Sequence, residues 1–145
     1  MRKQLTERKI ANELGKIVFD IAIRVLRNYK IPYTPPSGMN KSLTISPSSE
    51  NNFYLSLRIS SDETEARLIG GHGTSHRKAK RKVLARFHLG NPDLIQLIEA
   101  RVLKELNLLI PTWIKDARRE IKKIQDRIDQ LIKMGRKLDT GIEKT

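Results

Sequence analysis

At 145 residues the chain has room for one domain with a modest core and little beyond a helical appendage. Its 29 Lys and Arg against 16 Asp and Glu give a formal net charge of +13, which favours nucleic acid, an anionic membrane or an acidic protein face as partner. The absence of cysteine excludes disulfides, thiolate catalysis and Cys-ligated zinc.

From about Thr6 to Tyr29, apolar residues recur at Ile10, Leu14, Ile17, Val18, Ile21, Val25 and Leu26, the three-and-four spacing of one helical face. This predicts a first helix with Thr6 as N-cap, stopped before Pro32, Pro35 and Pro36. A basic amphipathic helix can lie on a membrane, but the same pattern packs in a core, and the core is the expectation. The apolar run from Ile17 to Ile23 is broken by Asp20 and followed by Arg24, so neither a signal peptide nor a membrane span is expected.

The proline-rich segment from Ile31 to Lys41 reads as a loop. Two strands then fit, Leu43 to Ser46 and Phe53 to Ile59, the second placing Phe53, Leu55, Leu57 and Ile59 inward. Pro47, Ser48, Ser49, Asn51 and Asn52 supply the turn of a hairpin that must lean on the first helix. Ser60 and Glu63 have capping-box spacing, and Gly70 and Gly71 follow where a left-handed C-terminal turn belongs. A short helix from about Asp62 to Ile69 is therefore predicted, with a third strand over Glu65 to Ile69 as the alternative.

Between Gly73 and Gly90 lie Arg77, Lys78, Lys80, Arg81, Lys82 and Arg86 without one carboxylate. Such an arm cannot neutralise itself, and these six residues are the candidate contacts to phosphate or to an acidic partner. Asn91 as N-cap, Pro92 and Asp93 then start a helix that buries Leu94, Ile98, Val102 and Leu106, reinforced by Ile95 and Leu109. Pro111 is expected to kink or break it near Leu109, placing a boundary between a domain over 1–110 and a helical extension over 111–145. In that extension Ile114, Ala117, Ile121, Ile124, Ile128 and Leu131 step by three and four, reaching Leu138 after Gly135. This heptad seam fits a coiled coil and a helix packed on its own domain equally.

Catalytic chemistry finds little footing. His72 and His76 are four apart in a glycine-rich loop, with His88 the remaining imidazole, so no metal site is expected from them, and no cofactor. Gly70 to Ser75 lacks the Walker spacing of a phosphate-binding loop, and no serine sits in a nucleophile elbow. A metal-dependent nuclease using these histidines is the minor reading. The arm has few aromatics beside it, Phe87 being the near one and Trp113 standing at a helix start, so any nucleic-acid contact should be non-specific.

Taken in order, these parts resemble the phage tail-completion and virion-morphogenesis proteins that join heads to tails in double-stranded DNA phages. Ser37-Gly38-Met39-Asn40-Lys41-Ser42-Leu43 stands for that family's Thr-Gly-x-Leu-x-x-Ser turn, with Ser37 in place of Thr. Ala66 to Thr74 stands for its helix closing in a Gly-Thr turn, and Arg86-Phe87-His88-Leu89-Gly90 for its Arg-Pro-Phe-Leu-Gly segment, with His88 departing from the pattern. The tract from Pro111 to Thr145 has no counterpart. The resemblance implies a non-enzymatic virion subunit, made in the host cytoplasm, that forms a sixfold ring with itself and meets adjacent neck and tail proteins and passing DNA, with no membrane partner. Ser37, Gly38, Gly70, Gly71, Gly73, Thr74 and Phe87 become its candidate partner or oligomer contacts. The expected fold is α+β, a long N-terminal helix on a small antiparallel sheet, a short helix, then C-terminal helices with a heptad-like tail. A small basic protein that binds nucleic acid without sequence preference is the alternative.

Overall fold

Four buried residues spaced four apart, Leu14, Val18, Ala22 and Leu26, line one stripe of the first helix, α1 (Arg2–Asn28), and carry its packing. The computed structural model describes the backbone of residues 2–37, 41–75 and 77–143, with side chains from 9 to 136 within those spans. The helix begins at Arg2, so Thr6 lies inside it and is not its cap. Its C-terminus is a Schellman turn. Ile31 N–H donates to Leu26 O (3.0 Å), Lys30 N–H donates to Arg27 O (3.2 Å), and Lys30 takes a left-handed φ of 56°. Ile31 and Leu26 are both buried across this turn, the apolar contact the motif calls for, and Pro32 follows.

The proline segment contributes a short strand, β1 (Tyr33–Thr34), where only loop was expected. It opens an antiparallel meander completed by β2 (Leu43–Ile45), β3 (Asn52–Ile59), β4 (Glu65–Gly73) and β5 (Lys80–His88), in spatial order β1-β2-β3-β4-β5. Phe53, Leu55, Ala66, Leu68 and Phe87 are buried on the sheet face that α1 covers, with Leu57 and Ile59 partly buried beside them. The inward set read from the β3 alternation is therefore the observed one.

The predicted short helix over Asp62 to Ile69 is absent, and the strand alternative is the structure. Ser60 and Asp62 do close hydrogen bonds, but around a hairpin turn. Asp62 Oδ1 accepts from Ser60 Oγ (2.6 Å), Thr64 Oγ1 (2.8 Å) and Thr64 N (3.2 Å), while Glu63 N–H donates to Ser60 O (3.0 Å). The short polar side chains that cap helices also close tight turns, and the period-two burial of Ala66, Leu68 and Gly70 decides between them. Gly70 and Gly71 consequently sit within β4 and neither has a left-handed φ. Close approach explains Gly70: a Cβ there would lie 2.8 Å from Leu84 Cδ1 and 2.8 Å from Phe53 Cζ.

The second helix, α2 (Leu94–Glu143), follows a turn in which Asn91 Oδ1 accepts from Asp93 N (2.9 Å) and Asn91 O accepts from Leu94 N (3.2 Å). Ile98, Val102, Leu106, Ile110 and Trp113 form its buried stripe, whereas Ile95 faces solvent. The expected break near Leu109 does not occur, and one helix stands where two were predicted. Pro111 removes the N–H that would bond Asn107 O, yet both residues are exposed, so water can satisfy that carbonyl. Trp113, placed at a helix start by the sequence reading, lies mid-helix with its ring 5.4 Å from that of Phe53. The core thus runs past Pro111.

Candidate functional site

Most of the basic arm is the edge strand β5, and only Arg77 and Lys78 remain in the hairpin loop before it. In β5 the register shifts between Leu68 and Ile69 of β4: Val83 pairs with Ile69 and Ala85 with Leu68, leaving Leu84 as the extra residue of a bulge. Its carbonyl accepts from Arg101 Nη2 of α2 at 2.9 Å. Arg81 and Arg86 are five apart and would point to opposite faces of a regular strand. The bulge restores them to one face, because Arg81 pairs with Gly71 and Arg86 with Arg67, both on the side away from the helices. Lys80 and Lys82, opposite His72 and Gly70, point to the other side.

Two further arginines join that open face. Arg58 of β3 pairs with Arg67 of β4, and Arg67 with Arg86 of β5, so three guanidinium groups stand in one cross-strand row. Glu65 Oε1 accepts from Arg67 Nε (2.7 Å) and Arg86 Nη1 (3.4 Å). Arg58 has no hydrogen-bond or ion-pair partner among the described residues. Further along the face, Arg81 lies over the ring of buried Tyr54, 5.9 Å from its centroid. Neither Arg58 nor Arg67 was a sequence candidate, since only pairing register shows that they align with Arg86.

The histidines do not assemble. His72 lies edge-on to Phe53 (4.7 Å), and burial, with a smaller push from the Lys82 charge, lowers its pKa. His88 stands opposite Glu65 at the far end of the sheet, and His76 lies outside the described residues. Among the described residues no group of three His, Asp or Glu is placed to hold a metal ion. The candidate partner contacts are likewise dispersed. Phe87, at 8% exposure, belongs to the core and not to a contact surface, and Gly70 and Gly71 are buried inside the chain. Thr74 is exposed beyond β4, Gly73 is half-buried at its end, Ser37 is exposed after β1, and Gly38 lies outside the described residues.

A second exposed feature is the end of α2. Ser49 N–H donates to Glu120 Oε2 (2.8 Å), bracing the helix where it passes the β2–β3 turn. Ile114 packs on the core, but Ile121, Ile124, Ile128 and Leu131 are 54%, 53%, 49% and 59% exposed. Helical spacing puts these four on one side, with Ile132 and Met134, also exposed, flanking them. Beyond Glu120 the helix extends roughly 35 Å at its ordinary rise per residue. No described helix is long and apolar enough to cross a membrane. Compared with known proteins, the chain matches no family model, no curated protein and no solved structure significantly.

Proposed function

We propose that the chain is a structural assembly subunit that closes into a ring through the projecting part of α2, acting as a tail-completion or neck component of a double-stranded DNA phage. The observation that carries the assembly reading is the apolar seam of Ile121, Ile124, Ile128 and Leu131, half-exposed along a stretch of helix that no other described residue covers. A second copy is the occupant that fits. In a parallel, in-register alignment these residues meet their own counterparts, while Glu120 falls beside Gln125 and Arg127 beside Ile132 of the neighbour, so no like charges are opposed. Ile at both seam positions of the Ile121–Ile124 layer favours more than two strands, and flanking Ile132 and Met134 widen the apolar face enough to touch two neighbours. Rotation about a ring axis that runs along the helices preserves that parallel orientation.

The phage assignment is supported by the order of parts: a long first helix, a small sheet, the Arg86-to-Gly90 segment and a following helix. It loses the support of Ala66 to Thr74, which is strand. On this reading the protein performs no chemistry; it works in the virion, against copies of itself and against neighbouring neck and tail proteins. Mass photometry of the full chain tests it. A discrete oligomer of more than two copies, dissociated by combined Ile124→Lys and Ile128→Lys, is the expected result. A monomer at every concentration would remove the reading.

A further inference from the structure

We propose that the helix-free face of the sheet binds the phosphodiester backbone of nucleic acid through Arg58, Arg67 and Arg86. The proposal stands apart from self-association and relocates the contact from the arm as a whole to a row that crosses three strands. Like charges directly opposite one another destabilise a sheet, and Arg58 faces Arg67 with no carboxylate between them. An anion above the row reverses that repulsion. Glu65 does not cancel it: one oxygen serves both Arg67 and Arg86, and its side chain is 23% exposed against 39% and 61% for the arginines, so the guanidinium groups stand higher.

The charge of the face points the same way. Along the described strands Arg58, Arg67, Arg81 and Arg86 share it with Glu65 as the sole carboxylate. Asp62 sits at the rim with its carboxylate occupied by Ser60 and Thr64. With strands about 4.8 Å apart the row spans about 10 Å, enough to meet about two or three successive phosphates. Among the described strand residues Tyr54 offers this face no stacking surface, being 4% exposed and beneath Arg81, and His88 lies at its far end opposite Glu65. Binding should therefore depend steeply on salt and hardly on sequence.

The test is anisotropy of a labelled DNA duplex titrated with full-length protein between about 50 and 200 mM salt. Arg58→Gln, Arg67→Gln and Arg86→Gln combined should weaken binding by about tenfold or more and lower the salt slope by about three, whereas Lys115→Gln, Lys122→Gln and Lys133→Gln, an equal loss of charge on α2, should change affinity by less than about threefold. Arg58→Gln alone, at an exposed unpartnered site, should keep the fold and lower the slope by about one. Equal losses from the two triple variants, or no DNA binding by the wild type at the lowest salt, would overturn the proposal. So would polyglutamate competing as well as DNA, since that would assign the row to an acidic protein.

Discussion

Replacing Pro111 by Ala probes how the core is coupled to the projecting helix. Proline inside a helix costs about 3 kcal/mol relative to alanine, through a lost hydrogen bond and a ring-to-carbonyl clash. Here Asn107, whose carbonyl loses that bond, is an exposed residue, so solvation can offset part of the loss. Losing proline also frees the unfolded chain, which takes back about 0.4 to 1 kcal/mol. The net expectation is a gain of about 1 to 2 kcal/mol, a rise of about 2 to 8 °C in Tm for a domain of this size. Thermal and guanidinium melts should be run in the Ile124→Lys, Ile128→Lys background, where assembly does not make Tm concentration-dependent. The buried neighbours Ile110 and Trp113 make the refuting result specific. A lower Tm would mean that the Trp113 contact on Phe53 requires the proline, and the water-satisfied carbonyl would not be the right account of an unbroken helix.

Three other expectations follow from local geometry. Lys30 and Glu63 hold φ values of 56° and 64°, so Lys30→Gly and Glu63→Gly should each raise stability by about 0.5 to 1 kcal/mol in urea melts, and a loss at both sites would contradict the left-handed reading. Hydrogen bonds from Ser60 and Thr64 hold the Asp62 pKa down at about 2 from an ordinary 3.8. Its contribution is thus present above pH 3.8 and lost as pH falls toward 2, so the stability difference between wild type and Asp62→Asn should shrink across that window; a constant difference would refute it. A Cβ at Gly73 would lie 2.7 Å from the backbone Cα of Ala79, which cannot rotate away, so Gly73→Ala should cost about 1 to 3 kcal/mol. Gly70→Ala meets side-chain atoms of Leu84 and Phe53 and no backbone, so the Leu84 end can turn aside; it should cost less, and the reverse order in melting experiments would contradict this packing.

The helices and the β2–β3 hairpin were legible because burial repeats in their sequences with the right period, as at Leu14, Val18 and Leu26 or Phe53 and Leu55. Ser60 to Glu65 was misread because side chains that cap a helix also close a hairpin; only the pairing of β4 with β3 and β5 separates the two. Pro111 misled for another reason: its missing bond falls on the solvent side of α2. The charge of the arm was plain in the sequence, but its sorting was not. A bulge at Leu84 decides which basic residues share a face, and Arg58 and Arg67 enter the row only through register.

Cysteine cross-linking along α2 tests self-assembly most directly, since the chain has no native cysteine to confuse it. In a parallel, in-register bundle, Ile128→Cys puts thiols of neighbouring copies side by side on the seam, whereas Lys133→Cys puts them on the outer side of the helix. Under mild oxidation the account predicts rapid covalent dimers from Ile128→Cys and monomers from Lys133→Cys. Equal cross-linking at both positions, or none at Ile128→Cys, would contradict it.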